Sequence, residues 1–225
     1  GSEMCIRDRL QVLDVIETIC RKHDITYFAD WGTILGTVRH GGYVPWDDDM
    51  DICMKREDYT RFKEAAKTEL PKDFRIHDYE HQEDHWLFLS RVANSVHINF
   101  EPEHMKQFHN FPYIAGIDIF VLDYLYKDEQ QEKQRCEEVK HIIAVADSII
   151  AGEIAQPVKE ANLIQLEQKY HKNFNRKLDN RHMGIELYRL AEEQMARVPK
   201  EESDRMAQIF PWGLLGNRGQ DRAVS

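Results

Sequence analysis

The sequence has only four cysteines, Cys5, Cys20, Cys53 and Cys136, and no two of them form a Cys-x-x-Cys pair. No zinc framework follows from that spacing, and scattered single cysteines fit a reducing compartment. No apolar run approaches the roughly 18 residues that a membrane span needs. The chain does not open with a basic stretch followed by an apolar one, so nothing in it argues for export. Positive charge is also short: 30 Lys and Arg stand against 40 Asp and Glu, a formal net charge of −10. That excludes general nucleic-acid binding, which needs a basic footprint. It leaves a phosphorylated substrate open, because bound metal ions invert the local field. There is no internal repeat and no low-complexity segment. With 225 residues and 42% hydrophobic content, the expectation is a soluble cytoplasmic protein, either one compact domain or one core with a helical appendage.

Reaction chemistry is densest in ADWGTILGTVRHGGYVPWDDDMDIC, residues 29–53. Asp47, Asp48, Asp49 and Asp51 fall within five positions, and acids that close repel one another unless something positive sits among them. A divalent metal bound with a phosphate is the usual partner; a solvated acidic turn is the plainer alternative. Residues 49–54 alternate polar and apolar as a half-buried strand does, which sets Asp49 and Asp51 on one face. Asp47, Asp49 and Asp51 also match the first, third and fifth positions of an EF-hand loop. The match fails where the turn glycine would be Ile52 and the bidentate acid Asp58, so calcium buffering is rejected.

Around that stretch the periodicity predicts an amphipathic helix over 10–23, a strand over 25–29 and a short helix over 33–38. The Gly32-Thr33 turn between the last two is a natural anion site, because the N–H groups of a helix start point outward. A helix over 56–70 ends at Pro71. Strands are expected over 74–77, 86–92 and 96–100, with a hairpin turn at Ala93-Asn94-Ser95, and then over 116–123. In that last strand Asp118 lies on the face opposite its aliphatic neighbours. Helices over 127–151, 159–177 and 183–198 follow, the last two bounded by Pro157 and Pro199. The closing PWGLLGNRGQDRAVS is Gly-rich and aperiodic, and is expected to be an irregular, truncated end.

A catalytic metal needs hard oxygen ligands from more than one element. Asp49 and Asp51 offer a pair from one strand, and Asp118 a third carboxylate from another. With a Gly-Thr turn for phosphate, this is the layout of the nucleotidyltransferase fold. Each residue also has a plainer reading: Asp118 as an exposed strand residue, Asp47 and Asp48 as turn caps. Arg39 either forks onto phosphate or neutralises the acids, and His40 is either a partner in that task or a solvated loop residue. The aromatics Trp31, Tyr43, Trp46, Tyr59 and Trp86 are candidates for caging a quaternary ammonium, although an aromatic beside a strand is more often core.

The run GTILGTVRHGGYVPWDDDMDI closely resembles the signature of the LicD family. That signature reads Gly-Thr-Leu-Leu-Gly-x-x-Arg-His, then Gly-aromatic-x-Pro-Trp-Asp-Asp-Asp-x-Asp. GIDIFVLD resembles the family's Asp-Ile-Phe-Pro-Leu-Asp element, with Val121 where proline is usual, and REDYTRF matches as well. The likeness covers about residues 10–125. It implies an α/β (α+β) fold: a nucleotidyltransferase-like mixed β-sheet core with flanking helices over 10–125, a helical part over 126–200 and an irregular tail over 201–225. It implies an enzyme that moves phosphocholine, or a similar phosphoalcohol, from a CDP-linked donor such as CDP-choline to a sugar hydroxyl of a cell-surface glycan or teichoic acid precursor, releasing CMP. Carried over residue by residue, Asp49, Asp51 and Asp118 are the catalytic metal ligands for two Mg²⁺ ions, with Mn²⁺ as a substitute. Gly32 and Thr33 cradle phosphate, and Arg39, His40, Trp46 and Asp48 bind substrate from the same signature. The family's C-terminal Tyr-Gly-aromatic element is absent here. Two rivals therefore stand beside this reading: transfer of a nucleotide with release of pyrophosphate, and a non-catalytic nucleotide-binding protein on the same fold.

Overall fold

Two strands with apolar residues at every second position set the architecture. β2 (Asp51–Lys55) and β5 (Gly116–Tyr124) pair in parallel at the centre of a mixed sheet whose order is β1-β2-β5-β4-β3. β1 (Tyr27–Ala29) lies antiparallel to β2, β4 (Ser90–Ala93) antiparallel to β5, and β3 (Arg75–His77) antiparallel to β4. This is a computed structural model; it describes residues 2–30, 33, 50–80, 88–94, 101–107 and 115–209, with backbone alone for 2–8, 104 and 107. The chain divides into two compact units, Gly1–Leu122 and Asp123–Ser225.

In the first unit, one face of the sheet carries the core. Ile52 and Met54 of β2, Ile117, Ile119 and Val121 of β5, and Val92 of β4 are buried together. They pack with Val12, Ile16, Ile19 and Cys20 of helix α1 (Ser2–Lys22) and with Tyr59, Phe62, Ala65 and Ala66 of helix α2 (Arg56–Glu69). Fully burying one such side chain stabilises by roughly 1.5–3 kcal/mol, so the choice of face is strongly determined. A one-residue slip of register would move every one of these groups to the other side. α2 follows β2 without a break; its Glu57 and Asp58 sit in the first turn, where carboxylates suit the helix dipole. A short helix α3 (Pro102–Gln107) precedes β5.

The second unit is helical, with α4 (Glu129–Ile150), α5 (Gln156–Tyr170) and α6 (Asn180–Met195). Asp128 and Asp179 cap α4 and α6 by accepting from the N–H groups of Gln131 and His182, each at 2.8 Å. A fully buried guanidinium organises this unit. Arg135 Nη1 donates to the carbonyls of Tyr124 and Met195, both at 2.9 Å, and Nη2 donates to Glu132 at 2.5 Å.

Several expectations need correction. α1 begins at Ser2 rather than residue 10, because its early turns lack the apolar stripe that the periodicity follows. Ala93 is a strand residue, paired with both Arg75 and Gly116, and not the first residue of a turn. Cys53 is buried between Ile52 and Met54, so β2 does not alternate in burial. Pro157 lies inside the first turn of α5 rather than ahead of it, where its missing N–H costs no hydrogen bond. The segment after residue 200 is not wholly irregular. It contains a 3₁₀ turn at Lys200–Glu202 and strand β6 (Met206–Ala207), which pairs antiparallel with Asp123 and Tyr124. The strand expected over 96–100 and the helix expected over 33–38, Thr33 apart, lie outside the described residues, as do residues 210–225.

Replacing Arg135 by methionine would take a donor from the two carbonyls and the cation from Glu132. We expect a loss of about 3–5 kcal/mol, the usual cost of breaking a buried charged network, measured by urea unfolding of the Arg135→Met variant.

Candidate active site

The face of the sheet opposite the core carries a row of ionisable side chains. In the parallel pairing of β2 and β5, Asp51 lies directly beside Asp118. In the antiparallel pairing of β5 and β4, Asp118 lies opposite Arg91, and Arg91 in turn lies opposite His77 of β3. Continuing the β1–β2 register by one residue sets Asp30 opposite Asp51, and the Asp30 N–H donates to the Asp51 carbonyl at 2.9 Å. Residues directly opposite across a sheet project from the same face, so five polar side chains cross five strands in line.

The contacts within the row are specific. Arg91 forks onto Asp118: Nε donates to Oδ1, and Nη2 donates to Oδ2 at 2.6 Å. The Asp118 side chain is 16% exposed and that of Arg91 26%, so the pair is largely shielded from water. Thr33 Oγ1 accepts from the Asp51 N–H at 3.0 Å, and the Thr33 N–H donates to the Asp30 carbonyl at 3.0 Å. The backbone around Asp51 is thus tied to the start of the signature from two sides. His77 is buried at the far end of the row.

Cys53 shares the face of Asp51. Burial, followed by the charge of Asp30 and its hydrogen bond, pushes the Cys53 thiol up to about 12. It is therefore a neutral thiol at pH 7.

Of the residues singled out from the sequence, Asp51, Asp118 and Thr33 come together in one place. Gly32, Arg39, His40, Trp46, Asp48 and Asp49 lie outside the described residues. Among the described residues no three His, Cys, Asp or Glu side chains are gathered closely enough to hold a metal ion. Asp51 and Asp118 supply two hard carboxylates from neighbouring strands, a donor type and placement that fit Mg²⁺ or Mn²⁺. Tyr59 does not fit an ammonium cage: it is 4% exposed, and its hydroxyl shares a 2.6 Å hydrogen bond with the buried Ser90. Reading the sequence alone passed over Asp30, Arg91 and His77. The signal for Arg91 was available in the alternation of Ser90, Arg91 and Val92, which sets a lone cation on the face away from the core.

A mixed sheet with helices against one face, and a carboxylate pair on parallel central strands of the other, defines an α/β domain. The sequence family described as LicD/FKTN/FKRP, nucleotidyltransferase domain, matches residues 24–144, more than half of the 225 residues, and the chain belongs to that family. It is similar to the lipopolysaccharide cholinephosphotransferase LicD of Haemophilus influenzae, at 43% identity over 53 residues, covering 24% of this chain and 20% of that protein. It is similar also to uncharacterized proteins of Rickettsia typhi, 39% over 54 residues (24% and 18% of the two chains), and Rickettsia prowazekii, 42% over 48 residues (21% and 18%). The chain spans about a fifth of the length of the curated relatives it matches.

The Tyr59→Phe variant tests the assignment of Tyr59 to the core. It should lose about 1–3 kcal/mol of stability in thermal or urea unfolding, because the Ser90 hydroxyl is left without its partner.

Proposed function

We propose that this domain transfers phosphocholine, or a closely similar phosphoalcohol, from a CDP-linked donor to a sugar hydroxyl of a cell-surface glycan precursor. The observation that carries the reading is the register of Asp51 beside Asp118 on the face away from the core, within the stretch that matches the LicD family. The similarity to the Haemophilus cholinephosphotransferase supports choline as the alcohol.

Asp51 and Asp118 would hold the divalent cation, Mg²⁺ or Mn²⁺, with Asp49 as the further carboxylate that the signature supplies. When bound, such an ion neutralises charge on the donor diphosphate and on the oxygens of the transferring group. Thr33 fixes the backbone of Asp51, and Arg91 fixes the carboxylate of Asp118. The acceptor hydroxyl oxygen forms a bond to the phosphorus that bears choline, the bond from that phosphorus to the CMP oxygen breaks, and CMP leaves with the electron pair. The hydroxyl proton passes to a nearby base. Most of the rate enhancement in such a transfer comes from placement and charge stabilisation rather than covalent chemistry.

The test is release of CMP from CDP-choline by the purified chain with Mg²⁺ and a lipopolysaccharide or teichoic acid precursor. Asp51→Asn should lower that rate by about 10²–10³-fold, the size expected when one main stabilising group is removed, with its melting temperature close to that of the unaltered chain. Full activity in Asp51→Asn would remove the carboxylate pair from the mechanism. Pyrophosphate released from CTP and phosphocholine, with no CMP from CDP-choline, would instead assign nucleotide transfer. Mg²⁺-dependent CDP-choline binding without turnover on any acceptor would assign a binding role.

A further inference from the structure

We infer that Arg91 is a positioning residue for the metal-holding carboxylate Asp118, acting through the geometry of its guanidinium fork rather than through its charge. The inference rests on the carboxylate-pair reading proposed above.

An Asp51 and an Asp118 carboxylate on neighbouring strands repel each other. Without a restraint, the favourable response of Asp118 is to rotate about its side-chain torsions, away from Asp51 and toward solvent. Arg91 removes that freedom. Its Cα is the register partner of Asp118, so the backbone ladder between β4 and β5 sets where the guanidinium lies. The two donors, Nε and Nη2, engage one carboxylate oxygen each. Two parallel hydrogen bonds fix the carboxylate plane as well as its position. An ionised carboxylate accepts at about four lone-pair sites, so the fork occupies half of them and leaves the others for an ion. Burial adds to the effect, because a pair exposed by 16% and 26% is less screened than a surface ion pair. Partners that hold a metal ligand in this way commonly contribute about 10–100-fold to metal affinity.

Lysine at position 91 keeps the charge but loses the planar fork, which separates geometry from charge. The experiment measures Mn²⁺ affinity by electron paramagnetic resonance on the whole chain, without donor or acceptor, for the unaltered protein and for R91Q, R91K and D118N. Circular dichroism melting identifies any variant that fails to fold. The expected result is Mn²⁺ affinity about 10–100-fold weaker in both R91Q and R91K, and weaker still in D118N. Unaltered or tighter Mn²⁺ binding in R91Q overturns the inference. So does unaltered binding in R91K, which would make Arg91 a counter-charge only; R91K also decides the matter if R91Q does not fold. If the unaltered chain binds no Mn²⁺, or D118N binds it as well as the unaltered chain does, the carboxylate-pair reading fails, and the role of Arg91 fails with it. Binding by the unaltered chain that D118N loses and R91K keeps overturns the role of Arg91 alone.

Discussion

The parallel pairing of β2 with β5 is the constraint on which the first unit depends. It sets Asp51 beside Asp118 and, one residue on, Ile52 beside Ile119. Because side chains alternate between faces, one register decision makes both the charged row and the core. Neither can be moved alone. A slip that relieved the repulsion between the two aspartates would also carry Ile52, Ile119 and Val92 out of contact with α1 and α2. Burial of several side chains at roughly 1.5–3 kcal/mol each outweighs the repulsion of two part-exposed carboxylates, roughly 1–4 kcal/mol at 4 Å in surroundings between water and protein surface. The core therefore holds the acids together.

The rest of the face is arranged in response. Asp118 receives a fork from Arg91, and the backbone of Asp51 is tied to Thr33 and Asp30. These contacts come from β4 on one side and from the end of β1 on the other, so the central pair is held from both sides. In the second unit a different buried charge plays the organising part. Arg135 joins the carbonyl of Tyr124 to that of Met195 and pairs with Glu132. The guanidinium groups of Arg135 and Arg197 each lie over the Tyr126 ring, 5.6 Å from its centroid.

Features governed by local pattern were legible in the sequence; features governed by partnership were not. The helix over 56–70 and the strand over 116–123 show their period and their end signals within a dozen residues, and the structure has Arg56–Glu69 and Gly116–Tyr124. Asp51, Asp118 and Thr33 stand out as acids on alternating strands and as a polar residue after glycine. The alternation around Arg91 shows its face but not its role, because its partner Asp118 is 27 residues away. The burial of Cys53 was hidden for a similar reason: its neighbours across the sheet are Phe28 and Phe120, which no period in β2 reveals. β6 was missed because two residues have no period, and the strand exists only through its pairing with Asp123 and Tyr124.

The charged row is better explained by chemistry than by stability. Ion pairs in shielded places rarely stabilise a fold beyond what apolar residues of similar volume would give, since desolvation offsets most of the attraction. A sheet covered on one face could carry Thr, Val and Tyr on the other at little cost. Here the two central strands instead carry carboxylates side by side, and Arg91 meets that of Asp118 with a two-point fork. Thr33 adds a restraint on the backbone of Asp51. A purely structural arrangement would favour alternating signs along the row. Adjacent carboxylates on the two central strands are the arrangement that a divalent cation bound with phosphate would neutralise, as the proposed transfer requires.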